Sequence, residues 1–129
     1  MKMVSTFKAA ETKIRYLILL FLSCIAFNVA ATVDDEIEHL LSFIKSTNCL
    51  YERNGSIYSG EEAVVHIKRK QQYYHDEINS TESFIRLTAT KSTLSGKHYF
   101  INCPGGDSVK SEVWLLEELR EYRIRIAGD

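Results

Sequence analysis

The segment at 91–103, KSTLSGKHYFINC, places a turn, an aromatic strand and a cysteine in close succession. Gly96 can take a positive φ, so we predict a turn around it that ends the preceding helix. Residues 98–102 then alternate, with Tyr99 and Ile101 on one face. Because aromatic and β-branched residues favour a half-buried pleated surface, this alternation predicts a short strand.

The beginning of the chain has the layout of a secretory signal peptide. Basic residues lead into an apolar run and small residues follow it: Lys2, Lys8, Lys13 and Arg15, then 17–27, then Ala30 and Ala31. The run is shorter than the ~20 residues of a transmembrane helix. We therefore predict a signal peptide at 1–31, cleaved near Ala31, and a single α+β domain at 32–129. An uncleaved N-terminal anchor and lipid attachment at Cys24 stay open as alternatives.

Two cysteines remain in the predicted mature chain, and an even pair in an exported protein indicates a disulfide. Cys49 opens a predicted strand at 50–53, and Cys103 closes the strand at 98–102. Antiparallel pairing brings both cysteines to the same end of the sheet. Parallel pairing would separate them by about 17 Å, beyond the ~7 Å Cα limit for a disulfide. The cysteines therefore predict antiparallel pairing, with the strand at 50–53 in the middle.

The remaining elements follow from turn and cap signals. Asn54-Gly55 between 50–53 and 56–58 is typical of a hairpin. Apolar periodicity and capping residues predict four helices: 34–47, 60–78, one from Asn79 or Ser80 to about 92, and one capped by Ser108 or Ser111 and reaching Tyr122. This order predicts the α+β class, with a small three-stranded antiparallel sheet packed with about four helices.

Charge and composition exclude some functions. Without the signal peptide the chain carries a formal charge of −4, whereas nucleic-acid binding normally requires a basic surface. No cofactor motif is present, so no cofactor is expected. A membrane contact is expected only through an uncleaved N-terminal segment.

Neither a metal site nor a catalytic set is predicted. The four histidines have no i, i+4 pair that would place two imidazoles on one helix face: His39, His66, His75 and His98. No nucleophile elbow is present, and both mature cysteines are expected to be bonded. Ser92 or Ser95 near His98 is the one candidate arrangement for a hydrolase.

A binding surface is predicted where two turns should meet. If the sheet is ordered as above, the turns around Gly55 and Gly96 lie at the same end, opposite the disulfide. Basic and aromatic side chains would collect there: Arg53, Tyr58, Lys91, Lys97 and His98. Such a patch favours an anionic or carbohydrate-rich partner. In the alternative, Arg53 and Lys91 pair with nearby acids, namely Glu52, Glu61 and Glu62.

Several segments together resemble the YfeK-like family: EIEHLLSFI, RNGSIYSGEEA, KSTLSGKHYFINC and EVWLLEELREYR. These are small exported proteins of Gram-negative bacteria, classed as a domain of unknown function, and the resemblance covers about 36–123. It implies a periplasmic bacterial protein. His98 stands where the family is associated with proline. The resemblance brings no activity and no catalytic residues.

We therefore expect a periplasmic protein that is a small binding or inhibitor-like interaction module. Its partner is an unknown protein or an anionic or carbohydrate ligand of the cell envelope. The alternative is a small cell-envelope hydrolase that uses Ser92 or Ser95 with His98. A convergent cleft with a histidine of shifted pKa would favour the enzyme, and a flat Tyr/Arg face the binder.

Overall fold

A computed structural model describes residues 30–128, together with Glu11 and residues 13–15. Most of the predicted signal peptide at 1–31 lies outside the described residues, so cleavage and export stay predictions. No helix among the described residues has the length and apolar character to cross a membrane.

Residues 30–128 fold as an α+β domain, which confirms the predicted class. Four α-helices and one turn of 3₁₀ helix surround a sheet of four short strands. In chain order they are α1 (Val33–Ser46), β1 (Leu50–Arg53), β2 (Ser56–Tyr58), α2 (Gly60–Tyr73), the 3₁₀ turn (His75–Glu77), α3 (Thr81–Thr88), β3 (Phe100–Asn102), β4 (Val109–Lys110) and α4 (Ser111–Ala127).

The sheet order is β2-β1-β3-β4, and every neighbouring pair is antiparallel. The predicted arrangement, with β1 between β2 and β3, is confirmed. The prediction of three strands is wrong, because β4 adds a fourth at the edge beside β3. Only Val109 and Lys110 form this strand, and two residues are too few to show an alternating pattern.

The β1–β2 hairpin turns through Asn54 and Gly55, at φ of 51° and 79°. A two-residue turn with two positive φ values matches the right-handed twist of the flanking strands, as the Asn-Gly signal predicts. The turn sets the register in which Arg53 lies opposite Ser56 and Tyr51 opposite Tyr58. Arg53 and Tyr58 therefore share the inner face of the hairpin with the buried Tyr51.

Two helices end earlier than predicted. α2 ends at Tyr73, not at residue 78, and the 3₁₀ turn His75–Glu77 follows it. α3 ends at Thr88, not near residue 92. Side-chain hydroxyls near its end bond back to main-chain carbonyls: Thr88 to that of Phe84, and Thr90 to that of Ile85. The segment after α3 instead forms a β-bridge between Lys91 and His98.

Ser80, one of the two predicted alternatives, caps α3, and Ser83 completes its capping box. Neither predicted serine caps α4, because its N-cap position is Lys110. The Ser111 hydroxyl is buried and lies 2.6 Å from the hydroxyl of Tyr51. A buried phenol requires such a partner, so Ser111 anchors the central strand to α4.

The helices pack on one another and on the inner face of the sheet. The largest fully buried apolar side chains come from α1, α2, α3, β3 and α4: Leu40, Ile44, Ile67, Phe84, Ile85, Ile101, Leu115 and Leu119. Gly60 at the start of α2 lies in close contact with α1, since a Cβ there would lie 2.0 Å from the Ile44 carbonyl oxygen. This contact fixes the start of α2 directly after the hairpin.

The Cys49–Cys103 disulfide is confirmed, with its Cα atoms 4.1 Å apart. The register of β1 with β3 pairs Leu50 with Asn102. Each cysteine is therefore the neighbour of a paired residue, and both lie at the same end of the sheet as predicted. Tyr99 and Ile101 are also buried on one face as predicted, with 3% and 1% of their surface exposed.

A buried carboxylate ties α1 to α3 and α4. Arg123 donates two hydrogen bonds to Glu36, at 2.7 Å and 2.8 Å, and the Thr81 hydroxyl donates a third. The bonds from Arg123 are the largest influence and hold the pKa of the Glu36 carboxyl below its ordinary 4.5, against the opposing effect of burial. Arg123 also pairs with Glu82 at the start of α3.

Reducing the disulfide should destabilise the domain strongly. The bond spans a sequence separation of 54 residues, for which the chain-entropy model gives about 4 kcal/mol as an upper figure. For a domain of this size that corresponds to a melting temperature lower by roughly 15–30 °C. Calorimetry with and without a reductant measures the shift. Thiol alkylation of the native, unreduced protein should label neither cysteine, and labelling of both would contradict the bond.

Replacing Arg123 by leucine should leave the Glu36 carboxylate buried without its cation. We expect a loss of about 3 kcal/mol in the free energy of unfolding at neutral pH. A carboxyl whose pKa is lowered by folding stabilises the protein at pH values above its ordinary pKa. This stabilisation is lost as the pH falls toward the folded-state pKa. The difference from the native protein should therefore shrink below pH 4.5, the ordinary value for Glu36.

Urea unfolding at several pH values tests this expectation. Arg120→Leu is the matched control, because its pair with Glu117 is exposed on both sides and should be worth less than about 1 kcal/mol. Equal losses for the two variants, or a loss at Arg123 that does not change with pH, would contradict the assignment.

Candidate functional site

Two of the predicted binding residues lie in direct contact. Arg53 donates from Nη2 to the Tyr58 hydroxyl at 3.3 Å, and its guanidinium carbon lies 4.8 Å from the centre of the Tyr58 ring. The hydrogen bond from Arg53 is the largest influence that lowers the pKa of Tyr58. Both side chains are half-buried.

The two predicted turns meet at one end of the sheet. The Ser95 hydroxyl donates to the Asn54 side-chain carbonyl at 2.6 Å, and the Asn54 amide donates to the Ser92 hydroxyl at 3.3 Å. Hydrogen bonds of both serine hydroxyls thus join the two turns. Among the described residues, no hydrogen bond joins either hydroxyl to His98, so the Ser-His pair of the hydrolase alternative is not assembled.

The other three predicted residues lie in or beside the second turn. Lys91 and Lys97 are exposed, and Lys91 pairs with His98 in a β-bridge. In residues 30–128, no side-chain hydrogen bond or ion pair joins Lys91, Lys97 or His98 to Arg53 or Tyr58. The five predicted side chains therefore form one pair and one separate group.

The alternative pairing with nearby acids is also not seen. Within the described part of the chain, no salt bridge involves Arg53 or Lys91. Glu52 instead accepts from the Asn102 side chain at 3.3 Å, and Glu62 accepts from the Ser59 backbone N–H at 2.8 Å.

A groove of about 290 Å³ lies between the hairpin and α2. Its walls are largely apolar and aromatic, with two arginines and one glutamate at the surface. The lining residues are Tyr51, Arg53, Tyr58, Glu62, Ala63, Val65, His66, Ile67, Arg69 and Tyr99. The predicted pair of Arg53 and Tyr58 therefore belongs to a concave site, rather than to the flat face expected for a binder.

His66 on α2 joins Arg53 to the body of the protein. Arg53 donates from Nη1 to His66 Nδ1. Since arginine has no acceptor, Nδ1 must be the unprotonated nitrogen and Nε2 carries the hydrogen. Nε2 then donates to the hydroxyl of the buried Tyr99, 3.2 Å away. Both nitrogens of the neutral imidazole are used, and the ring is held in one tautomer.

Basic side chains outnumber acidic ones in the groove, where Arg53 and Arg69 lie with Glu62, although the whole chain has a formal charge of −1. Burial and nearby cations lower the pKa of His66 to about 4. Burial is the largest cause, followed by Arg53, Lys70 and Arg69. His66 is therefore neutral at physiological pH.

Lys70 lies one helical turn beyond His66 and connects the groove to the second group. Its ammonium donates to the Lys91 carbonyl at 2.8 Å and lies 5.4 Å from the centre of the Tyr99 ring. Burial, followed by the charge of Arg53, lowers the pKa of Lys70. The i, i+4 spacing of His66 and Lys70 was the sequence signal for this shared face. The position of this helix face against the hairpin depends on tertiary packing.

The groove has only part of what a catalytic site would need. The groove is concave and contains a histidine of shifted pKa, the features expected of an enzyme. However, no serine, threonine or cysteine lines it, and both imidazole nitrogens already have partners. Among the described residues, no three His, Cys, Asp or Glu side chains lie together in a way that could hold a metal ion. What the groove offers is a cationic, hydrogen-bonding wall beside aromatic rings.

Comparison with protein families matches residues 31–123 to the family described as "Family of unknown function (DUF5329)". The matched region contains the whole sheet, α1, α2, α3 and every residue that lines the groove. Searches of curated proteins and of solved structures gave no match. Because the match covers most of its length, the chain belongs to the family of unknown function DUF5329.

Proposed function

We propose that this protein is a small binding module that holds an anionic group in the groove between its hairpin and α2. The observation that carries the proposal is the environment of Arg53. Its guanidinium contacts a neutral imidazole and a phenol, and no carboxylate among the described residues pairs with it. A partly buried cation without a counter-ion is a natural partner for a carboxylate or phosphate.

The remaining walls support a ligand with a flat or apolar part. Tyr58 and Val65 border the groove, and Val65 is 54% exposed. Arg69 and Lys70 add positive potential, which raises the local concentration of anions at the opening. The volume is at the lower end of the ~300–1,000 Å³ range of ligand pockets, so the ligand or the bound part of it is small.

The proposed location is the periplasm of a Gram-negative bacterium, as a member of the YfeK-like group of exported proteins. The segment resemblance and the charge-apolar-small pattern of residues 1–31 support this location. The Cys49–Cys103 bond is compatible with it, since disulfides persist in oxidising compartments. The proposed ligand is then an anionic or carbohydrate component of the envelope, or a protein.

Replacing Arg53 by glutamine should remove the charge and keep a donor of similar shape. Hydrogen bonds to charged groups contribute about 1.5–3 kcal/mol, so affinity for an anion should fall by at least roughly tenfold. Benzoate, glucuronate and inorganic phosphate serve as probes, titrated while amide NMR signals of the groove are followed. The bound anion with the tightest affinity identifies the preferred chemistry.

Arg86→Gln is the matched control. Arg86 is an exposed arginine on α3 that does not line the groove. This variant should bind as the native protein does, and both variants should keep the native melting temperature within a few degrees. The proposal is wrong if none of the three anions shifts groove signals, or if both variants lose affinity equally.

The proposed export leads to a separate prediction about the mass of the exported protein. When the full chain is expressed in a Gram-negative host and recovered from the periplasm, its mass should correspond to a chain that begins at or near Thr32. Signal peptidase requires small residues before the cleavage point, and Ala30 and Ala31 supply them. A periplasmic form that retains Met1, or that carries lipid on Cys24, would contradict cleavage near Ala31.

A further inference from the structure

The groove runs beside an edge strand with unused backbone groups. β2 has a single neighbour in the sheet, β1. In a hairpin with a two-residue turn, the residues that flank the turn exchange both hydrogen bonds, and bonded pairs then alternate. Arg53/Ser56 and Tyr51/Tyr58 are therefore the bonded pairs. The N–H and C=O of Ile57 point away from β1, toward the open edge.

The described part of the chain gives Ile57 no further backbone partner. Ile57 is 53% exposed, and no backbone hydrogen bond joins it to a residue outside the hairpin. An edge strand with free N–H and C=O groups is a template for an added strand. Because Tyr58 on the same strand lines the groove, a chain added here would lie along the groove.

We propose that the ligand of the groove is the carboxyl terminus of an extended polypeptide, paired with β2 as an added strand. This inference rests on the proposed function, since it uses Arg53 as the anion site. It names the class of ligand: a free main-chain carboxylate preceded by residues in β conformation. Affinity comes from backbone hydrogen bonds and from the ion pair, as in other strand-addition complexes.

The direction of the added strand follows from the register. Arg53 lies opposite Ser56, the first residue of β2. A chain antiparallel to β2 passes Tyr58, pairs with Ile57 and ends near Ser56. Its terminal carboxylate then lies at the turn end of the hairpin, where Arg53 lies across from Ser56 on β1 and its guanidinium reaches over the Tyr58 ring. The remaining N–H groups of the guanidinium, beyond those bonded to His66 and Tyr58, can receive the two carboxylate oxygens.

The groove also limits how much of the polypeptide is bound. β2 has three residues, and Ile57 is the one whose backbone groups face outward, so it offers one pair of hydrogen bonds. A volume of about 290 Å³ accommodates one or two side chains. Tyr58 and Val65 border this space, which favours apolar side chains near the terminus. The site is therefore expected to recognise the last few residues of a chain, and not an internal segment.

A peptide pool tests the inference directly. The probe is a mixture of short N-acetylated peptides with random residues and a free carboxyl terminus, passed over the immobilised protein and read by mass spectrometry. The same pool with amidated termini is the chemical control. Retention of the free-acid pool should exceed that of the amidated pool by at least tenfold. Arg53→Gln should abolish the difference, and Arg86→Gln should preserve it.

Hydrogen exchange at Ile57 tests the strand pairing without altering the fold. In the free protein the Ile57 amide should exchange rapidly, and a saturating retained peptide should slow it at least tenfold. The Glu52 amide, on the central strand, is the internal reference. Peptide binding that leaves Ile57 exchange unchanged would overturn strand addition.

The outcomes separate the two proposals. If benzoate, glucuronate or phosphate binds through Arg53 but free-acid and amidated peptides are retained equally, the anion site stands and the peptide inference is wrong. If neither the small anions nor the peptides depend on Arg53, both are wrong.

Discussion

The pairing of β1 with β3, across about fifty residues of chain, is the constraint on which the domain depends. The Cys49–Cys103 disulfide locks one end of this pairing. Tyr51 in the middle of β1 is 3% exposed, and its hydroxyl is held by Ser111 at the start of α4. Since side chains alternate along a strand, an inward Tyr51 also places Arg53 inward, at the open end of the sheet. The same register that builds the core thus supplies the cation of the groove.

The contact between Arg53 and His66 orients this cation without a carboxylate, which supports the proposed binding role. The charge of an arginine that pairs with a carboxylate is compensated by the ion pair, as that of Arg123 is by Glu36 and Glu82. Arg53 meets a neutral imidazole instead, which orients the guanidinium without cancelling its charge. The burial and cationic surroundings that lower the pKa of His66 keep it neutral at physiological pH. The guanidinium is thus held by two hydrogen bonds and has no carboxylate partner among the described residues, as the proposed anion binding requires.

The features that the sequence predicted correctly are those set by local chemistry. Asn54-Gly55 specifies its turn because both positions need a positive φ, and the strand order follows once the cysteines are paired. Ser111 was predicted as a possible cap because cap rules do not include burial, and burial assigns its hydroxyl to Tyr51. His66 could not be assigned to a site, because its partners come from the packing of α2 against the hairpin. Helical periodicity defines a face but does not identify what that face contacts.

Both walls of the groove are secondary-structure elements that pack against the rest of the domain, which bears on the proposed binding. One wall is a strand bonded on both sides and tied by a disulfide, and the other is a helix whose first residue, Gly60, packs against α1 with no room for a side chain. Neither wall needs to become ordered on binding, so little affinity is lost to conformational entropy. The exposed edge of β2 is tolerated in a free protein because it is only three residues long, too short to template extended aggregation. A partner that pairs with so short an edge needs a second point of attachment, and the positive charge of Arg53 supplies one.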